Sequence, residues 1–315
     1  MERKNELGKK ENTQQELRAA IHRALRHLET RYDDAPTTEE LAEIAGLSTF
    51  HFHRAFRSVV GETVAKYSQR LRVERGASLL KSSNWHISEI GLACGFDTPA
   101  SFARAFKRLY DTTPKQFRED HGTVPFLRGY LRSHPDQPLP SQNFVAPTAM
   151  IEDWPEIQVI TLRYIGSVEG VLTPWNELLH WAKSNLKNLN EARFFGLWFD
   201  DWHTLDEHRY RYECAILPNE PIDDLPKPFA WRTIPAGKVA VTPTRGTLKE
   251  LNQSWKAFGE GWLPFSGFQP REDYALDEYP ASLTLAPFPK KLLLGALGSI
   301  SIRLCLPVQT EFLEL

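Results

Sequence analysis

Between residues 13 and 121, apolar side chains recur at spacings of three and four, the period of helices that bury one face. Leu17, Ile21, Ala24, Leu25 and Leu28 predict a first helix, which Asp33, Asp34 and Pro36 bring to an end. Thr38–Ala45 reads as a second, with Thr37 or Thr38 as its cap and acids in the first turn, where the helix dipole favours them. Gly46 stops it, and Ser48 opens a third. From Thr63 to Lys81 the pattern predicts a long helix that buries Leu71, Leu79 and Leu80 and leaves Arg70, Arg72 and Arg75 outside. Residues 1–12 are polar and charged, so a disordered lead-in is expected there and not a secretory signal.

Within this helical stretch one unit occurs twice. Its first copy runs from Leu41 to Phe56 and its second from Ile87 to Phe106. Each has a short helix, a turn at glycine (Gly46, Gly95), a hydroxyl-bearing helix start (Ser48, Thr98) and a second helix ending Phe-x-Arg-Ala-Phe. Glycine permits the left-handed backbone such a turn needs. Leu41, Ile44, Ala45 and Leu47 can pack on Phe52, Ala55 and Phe56, which locks the two helices at a fixed angle. The outer face of each second helix is then free to enter a major groove. In the first copy that face carries Thr49, Phe50, His53, Arg54 and Arg57. In the second it carries Pro99, Ala100, Ser101, Arg104, Lys107 and Arg108. Arginine bonds bidentately to guanine and an apolar side chain meets a thymine methyl, while flanking cations suit phosphates. One glycine-turn helix pair is common in any α domain; two with the same internal layout point to double-stranded DNA. The helix between them is a stiff spacer of roughly 25–30 Å, long enough to set two reading helices in successive major grooves.

After residue 122 the texture changes. Pro125, Pro135, Pro138, Pro140 and Pro147 mark 123–148 as an extended linker. Beyond it, apolar segments at Ile157–Tyr164, Phe194–Asp200, Tyr210–Leu217, Gly237–Thr242 and Ile300–Leu306 read as strands, with helices over Pro174–Lys187 and Leu248–Trp262. A repeat runs through this region: Tyr164-Ile165-Gly166 leads to Trp175, and Thr244-Arg245-Gly246 leads to Trp255, each nine residues past its glycine. Duplication of a β-α-β-β half would explain it, and so would chance likeness of two strand–helix joins. The chain is therefore read as multidomain, an all-α double helix-turn-helix domain at 13–122 followed by an α+β domain at 149–310.

Charge sharpens this division. The net charge of −2 conceals +3 over residues 1–122 and −5 over the remainder, with +6 between His51 and Tyr110. A basic segment beside an acidic one fits a polyanion-binding module joined to something else. No apolar run is long enough to span a membrane. Cys94, Cys214 and Cys305 lie far apart, which argues against a zinc ribbon or a disulfide framework and fits a reducing cytoplasm. His203 and His208 flank two acids but read as a solvated hairpin loop, and no cofactor or metal motif is present.

Residues 14–121 resemble the AraC/XylS transcription-regulator domain. The likeness is carried by Gly95-Phe96, Ser101-Phe102-Ala103-Arg104-Ala105-Phe106-Lys107-Arg108 and Thr113-Pro114-Lys115-Gln116-Phe117-Arg118, with Asp111 at the family's usual glycine and Phe117 at its usual tyrosine. By position it places base reading on Phe50, His53 and Arg54, and on Ala100, Ser101 and Arg104. Residues 145–308 are similar to the gyrase-inhibitor-like (GyrI-like) effector-binding domain, through Arg163-Tyr164-x-Gly166, Arg211-Tyr212-Glu213-Cys214-Ala215, Ile234-Pro235-Ala236-Gly237-Lys238-x-Ala240, Asp277-Glu278-Tyr279 and Leu304-x-Leu306-Pro307. That resemblance implies two fused β-α-β-β halves with a groove for hydrophobic or cationic compounds, although Arg303 stands where the family carries an acid. Eight tryptophans lie beyond residue 150, and they fit either core packing or an aromatic cage. The candidate effector-binding residues are Tyr164, Trp175, Trp198, Tyr212, Glu213, Asp277 and Tyr279. The expected partners are DNA, RNA polymerase and a small hydrophobic or cationic effector, with the chain a monomer or homodimer and no enzyme; the alternatives are a DNA-binding module fused to a GyrI-like small-molecule hydrolase, or a constitutive regulator whose C-terminal domain contacts other proteins.

Overall fold

A computed structural model describes residues 2–31, 36–121, 149–200, 210–222, 224–246, 248–263, 266–271, 274–281 and 300–310. The linker expected at 123–148 and the loop bearing His203 and His208 lie outside the described residues. The chain divides into two compact units, Met1–Leu139 and Pro140–Leu315.

The first unit is helical. Its described elements are α1 (Glu2–Glu29), α2 (Thr38–Ala45), α3 (Thr49–Val60), α4 (Val64–Ser82), α5 (Ile87–Ala93), α6 (Pro99–Tyr110) and α7 (Pro114–His121). α1 begins at Glu2, so the lead-in expected to be disordered is helical from residue 2. Lack of apolar periodicity removes a buried face, but Glu, Lys and Arg retain good helix propensity. Caps set the remaining boundaries. The Thr37 hydroxyl accepts from the Glu40 amide (3.2 Å) while the Glu40 carboxylate accepts from the Thr37 amide (2.7 Å). Gly46 ends α2 at φ 70°, and Ser48 caps α3. Asp111 closes α6 at φ 54°, taking the left-handed conformation without being a glycine.

Two cores form around α4. In the first, Phe52, Phe56 and Tyr67 make successive ring contacts at 5.6 and 5.7 Å. In the second, Val73, Ala77 and Leu80 pack with Ile90, Cys94, Phe96, Phe102, Phe106 and Phe117. α4 thus serves both, and this overturns the expected exposure of its arginines. Arg70 is buried, donating to Glu62 (2.8 Å) and Glu74 (2.7 Å) with its guanidinium over the Tyr67 ring. Arg72 is half-buried, donates to the Gly95 carbonyl (2.8 Å) and lies over Phe96; Arg75 is half-buried too. A helix packed on several sides has no broad outer face, so a pattern that assumes one buried stripe misplaces them.

The second unit is built on β1 (Met150–Trp154), β2 (Ile157–Gly166), α8 (Leu172–Asn185), β3 (Arg193–Trp198), β4 (Tyr210–Leu217), β5 (Ala230–Ile234), β6 (Gly237–Gly246), α9 (Leu248–Lys256, continued by a π-helical turn to Trp262), β7 (Phe268–Pro270), β8 (Ala275–Tyr279) and β9 (Ile300–Thr310). The strands are antiparallel in the order β1-β6-β9-β8-β3-β4-β2-β5, with β7 beside β9. Two halves are visible in that order. β2-α8-β3-β4 and β6-α9-β8-β9 have the same connectivity, β2 and β6 are both ten residues ending at glycine, and the halves join where β3 pairs with β8. Strands β1 and β5 extend the two ends and were not expected from the apolar pattern. One face of the sheet carries both helices. Trp175, Leu178 and Leu179 of α8 pack on Ile160, Leu162, Tyr212 and Cys214. Leu251 and Trp255 of α9 pack on Ala240, Ile302 and Leu304. The opposite face buries Val159, Phe195, Leu197, Ala215, Val241 and Leu276.

Candidate nucleic-acid interface and ligand site

In α3, Phe52, Ala55, Phe56 and Val60 face the core, which leaves Phe50, His53, Arg54 and Arg57 exposed and Thr49 half-buried. In α6, Phe102, Ala105 and Phe106 face the core, and Ala100, Arg104, Lys107 and Arg108 are exposed. The two helices correspond at an offset of 50, so Phe50 matches Ala100 and Arg54 matches Arg104. Neither Arg54 nor Arg104 makes an ion pair among the described residues, so both guanidinium groups keep their donors for another acceptor. Ser101 is different. Its hydroxyl donates to the Thr98 carbonyl (2.7 Å) and accepts from the Thr98 amide (3.3 Å), closing a reciprocal cap. That side chain thus takes part in starting α6.

In the second unit, Trp175, Trp198, Tyr212, Asp277 and Tyr279 come together on the helix-bearing face of the sheet. Asp277 is buried at its centre. Its carboxylate accepts from Trp198 Nε1 (2.7 Å), Trp255 Nε1 (2.9 Å) and the Tyr279 hydroxyl (3.1 Å). Trp175 Nε1 donates to the Tyr212 hydroxyl at 2.7 Å, and Trp198 and Tyr212 lie 4.5 Å apart between ring centres. Burial raises the Asp277 pKa above the ordinary aspartate value, with the three donors opposing it. Burial and the nearby carboxylate push both Tyr212 and Tyr279 upward, so both hydroxyls stay protonated. Tyr164 sits at the margin of this cluster, its hydroxyl donating to the Ser167 carbonyl (3.1 Å).

Glu213 does not join them. Successive strand residues face opposite ways, so Glu213 leaves the sheet on the side away from Tyr212. There it is fully buried between Arg163 (3.2 Å) and Arg232 (2.7 Å). The same alternation separates Asp277 from Glu278, which holds Arg193 (2.7 Å) and Arg303 (2.6 Å). Arg303 also grips Glu152, whose pKa burial tends to raise but which hydrogen bonds from Trp154 and Arg303 hold below the usual carboxylate range. Arg303 is therefore not a cation opposing Asp277; it works on the other face. Trp255 joins the cluster beyond the seven candidate residues. Its signal was the repeat, since Trp175 and Trp255 occupy matching places on α8 and α9.

Residues 41–120 match a family profile described as a helix-turn-helix domain, and residues 148–282 match one described as a GyrI-like small molecule binding domain. The probable transcription factor PqrA of Proteus vulgaris is 33% identical over 107 residues, covering 33% of this chain and 87% of PqrA. The HTH-type transcriptional regulator YbfP of Bacillus subtilis is 29% identical over 31% of this chain and 34% of its own length. The chain thus spans about a third of that relative. An AraC-type transcriptional regulator structure from Chromobacterium violaceum is 27% identical over 32% of this chain and 91% of its own, with a TM-score of 0.32. On the match to nearly all of PqrA, together with the profile over 41–120, the chain belongs to the AraC/XylS family of transcription regulators.

Proposed function

We propose that this chain is a sequence-specific DNA-binding transcription regulator whose activity depends on a small molecule held in its C-terminal unit. The observation that carries the reading is the pair α3 and α6, which repeat one capped, core-anchored geometry and leave Arg54 and Arg104 exposed, with no ion pair to either among the described residues. Thr49, His53, Arg57, Lys107 and Arg108 flank them as phosphate and base contacts. The aromatic cluster around Asp277 supports an apolar or cationic effector, because a carboxylate ringed by indoles and tyrosines combines charge, π faces and low polarity. An effector changes DNA binding or contact with RNA polymerase only if it favours one of two states. Cytoplasmic action as a monomer or homodimer completes the proposal. The test is a binding isotherm of the full chain on duplexes selected from a randomised pool, with and without compounds that raise its melting temperature. Absence of any enriched sequence would remove the DNA reading; compounds that bind without altering DNA affinity would remove the sensor.

One observation favours a second reading, hydrolysis of an electrophilic small molecule. Asp277 combines a raised pKa with adjoining indole and phenol groups, a setting suited to general acid–base chemistry. Turnover lost in Asp277→Asn would support it.

A further inference from the structure

The repeat in the helical unit extends back beyond its two glycine turns. An offset of 49 residues lays Ile21, Ala24 and Leu28 of α1 on Arg70, Val73 and Ala77 of α4, all of them buried. It also lays Gly46 on Gly95, both left-handed at φ 70° and 75°. From the next cap onward the offset is 50, with Ser48 on Thr98 and Phe52 on Phe102, so the second turn carries one residue more. Arg23 and Arg72 are themselves 49 apart, and they make matching contacts. Arg23 of α1 donates to the carbonyl of Ala45, the last residue of α2 (3.2 Å), and Arg72 of α4 donates to the Gly95 carbonyl (2.8 Å). Each reaches from the preceding helix to the place where the chain turns toward α3 or α6.

The two grips are unequal. Arg23 is exposed and holds a carbonyl that lies before its turn. Arg72 is half-buried and holds a carbonyl inside its turn, with its guanidinium 5.3 Å from the Phe96 ring centre. It thus grasps two consecutive residues of the longer connection, where the extra residue adds two soft backbone dihedrals between α5 and the Thr98 cap.

We infer that Arg72 is a positioning residue for DNA recognition: it fixes the longer turn, and through it the angle at which α6 meets the groove, without touching DNA itself. A guanidinium bonded to a peptide carbonyl is a charge-assisted contact, stronger than a neutral one and able to hold a turn in one geometry. Angle matters because hydrogen bonds to base edges weaken steeply away from linear alignment. Arg23 serves α3 in the same way to a smaller degree, since its turn is shorter. This inference rests on the groove reading proposed above.

The test uses the full-length protein and the duplex it enriches from a randomised pool, with Arg104→Ala marking the half that α6 contacts. Affinity is measured on that duplex and on one whose α6 half is scrambled. Arg72→Met keeps an unbranched stem and removes the donors. It is expected to lose roughly tenfold on the enriched duplex, the effect of one hydrogen bond to a charged group, and nothing on the scrambled one. Its salt dependence is expected to match the wild type, because no phosphate contact is lost. Arg23→Met is expected to show a smaller loss, which disappears when the α3 half is scrambled instead. Arg72→Lys keeps the charge but not the planar fork, so it is expected to lose less than Arg72→Met in the same half. That variant carries the test if Arg72→Met fails to fold. An equal loss on both duplexes reveals a role in stability alone and overturns the inference, as does unchanged affinity for the enriched duplex. A reduced salt slope makes Arg72 a phosphate contact and overturns it too. A pool that enriches nothing overturns it together with the DNA reading.

Discussion

Gly196 of β3 and Asp277 of β8 stand directly opposite each other at the seam between the two β-α-β-β halves. They occupy corresponding places in their halves, because Gly196 pairs with Cys214 on one side and Asp277 with Leu304 on the other. The duplication thus meets itself at one glycine and one acid. The glycine leaves room that the acid's surroundings fill. A Cβ on Gly196 would come within 2.3 Å of the Tyr212 hydroxyl and 2.9 Å of its ring. Gly196→Ala is expected to destabilise the second unit by about 1–3 kcal/mol through overpacking. Chemical denaturation followed by tryptophan fluorescence measures this, and an unchanged midpoint would show that Tyr212 moves freely.

Asp277 links stability to pH in a stated direction. Its folded pKa is raised by burial, so its contribution is greatest below the ordinary aspartate range and is lost as pH rises through the folded value. Melting curves of the full chain from acid to neutral pH are expected to fall more steeply in the wild type than in Asp277→Asn. Parallel curves would contradict the burial argument. Asp277→Ala leaves two indole N–H groups and a hydroxyl without their acceptor, at about 1–3 kcal/mol for each that stays dry.

Arg54→Ala and Arg104→Ala are each expected to weaken specific DNA binding by about 1–3 kcal/mol with little change in stability, since both side chains are exposed. Fluorescence anisotropy on a selected duplex decides it. Unchanged affinity in both variants would sink the groove assignment.

Arg70 behaves differently from those arginines. Removing it takes the guanidinium away from buried Glu62 and half-buried Glu74, so Arg70→Ala is expected to cost about 3–5 kcal/mol of stability. The salt dependence of DNA binding should be unaltered at temperatures where the variant stays folded. A reduced salt slope with full stability would restore the view of Arg70 as a phosphate contact.

Asp111 holds a left-handed conformation that suits glycine. Asp111→Gly is expected to stabilise the first unit by about 0.5–1 kcal/mol, the strain relieved less the extra entropy glycine loses. A lower melting temperature would mean that the carboxylate has a stabilising role of its own.

The helical unit was legible because its signals are local. Thr37 with Glu40, Gly46, Ser48 and Thr98 each act within four residues, and the Phe-x-Arg-Ala-Phe ending names core and surface together. The aromatic cluster around Asp277 is legible by residue type but not by face. Tyr212 and Glu213 are adjacent in the chain and read as one group, yet the pleat sends them to opposite sides of the sheet. Trp255 reaches Asp277 across 22 residues, a contact that only the matching of α8 with α9 could have suggested. The arginines of α4 were misplaced for a related reason: a helix shared by two cores has no simple amphipathic signature.

That sharing reaches beyond stability. The first half of α4 is anchored by Tyr67 and Arg70 to the core beneath α3, and its second half by Val73, Ala77 and Leu80 to the core beneath α6. α3 and α6 thus pack on the two halves of one continuous helix. Each inserted base pair rotates one half of a binding site by about 34° relative to the other. On the proposed DNA reading, a binding site is expected to tolerate changed letters in either half, whereas an inserted base pair between the halves is expected to cost far more.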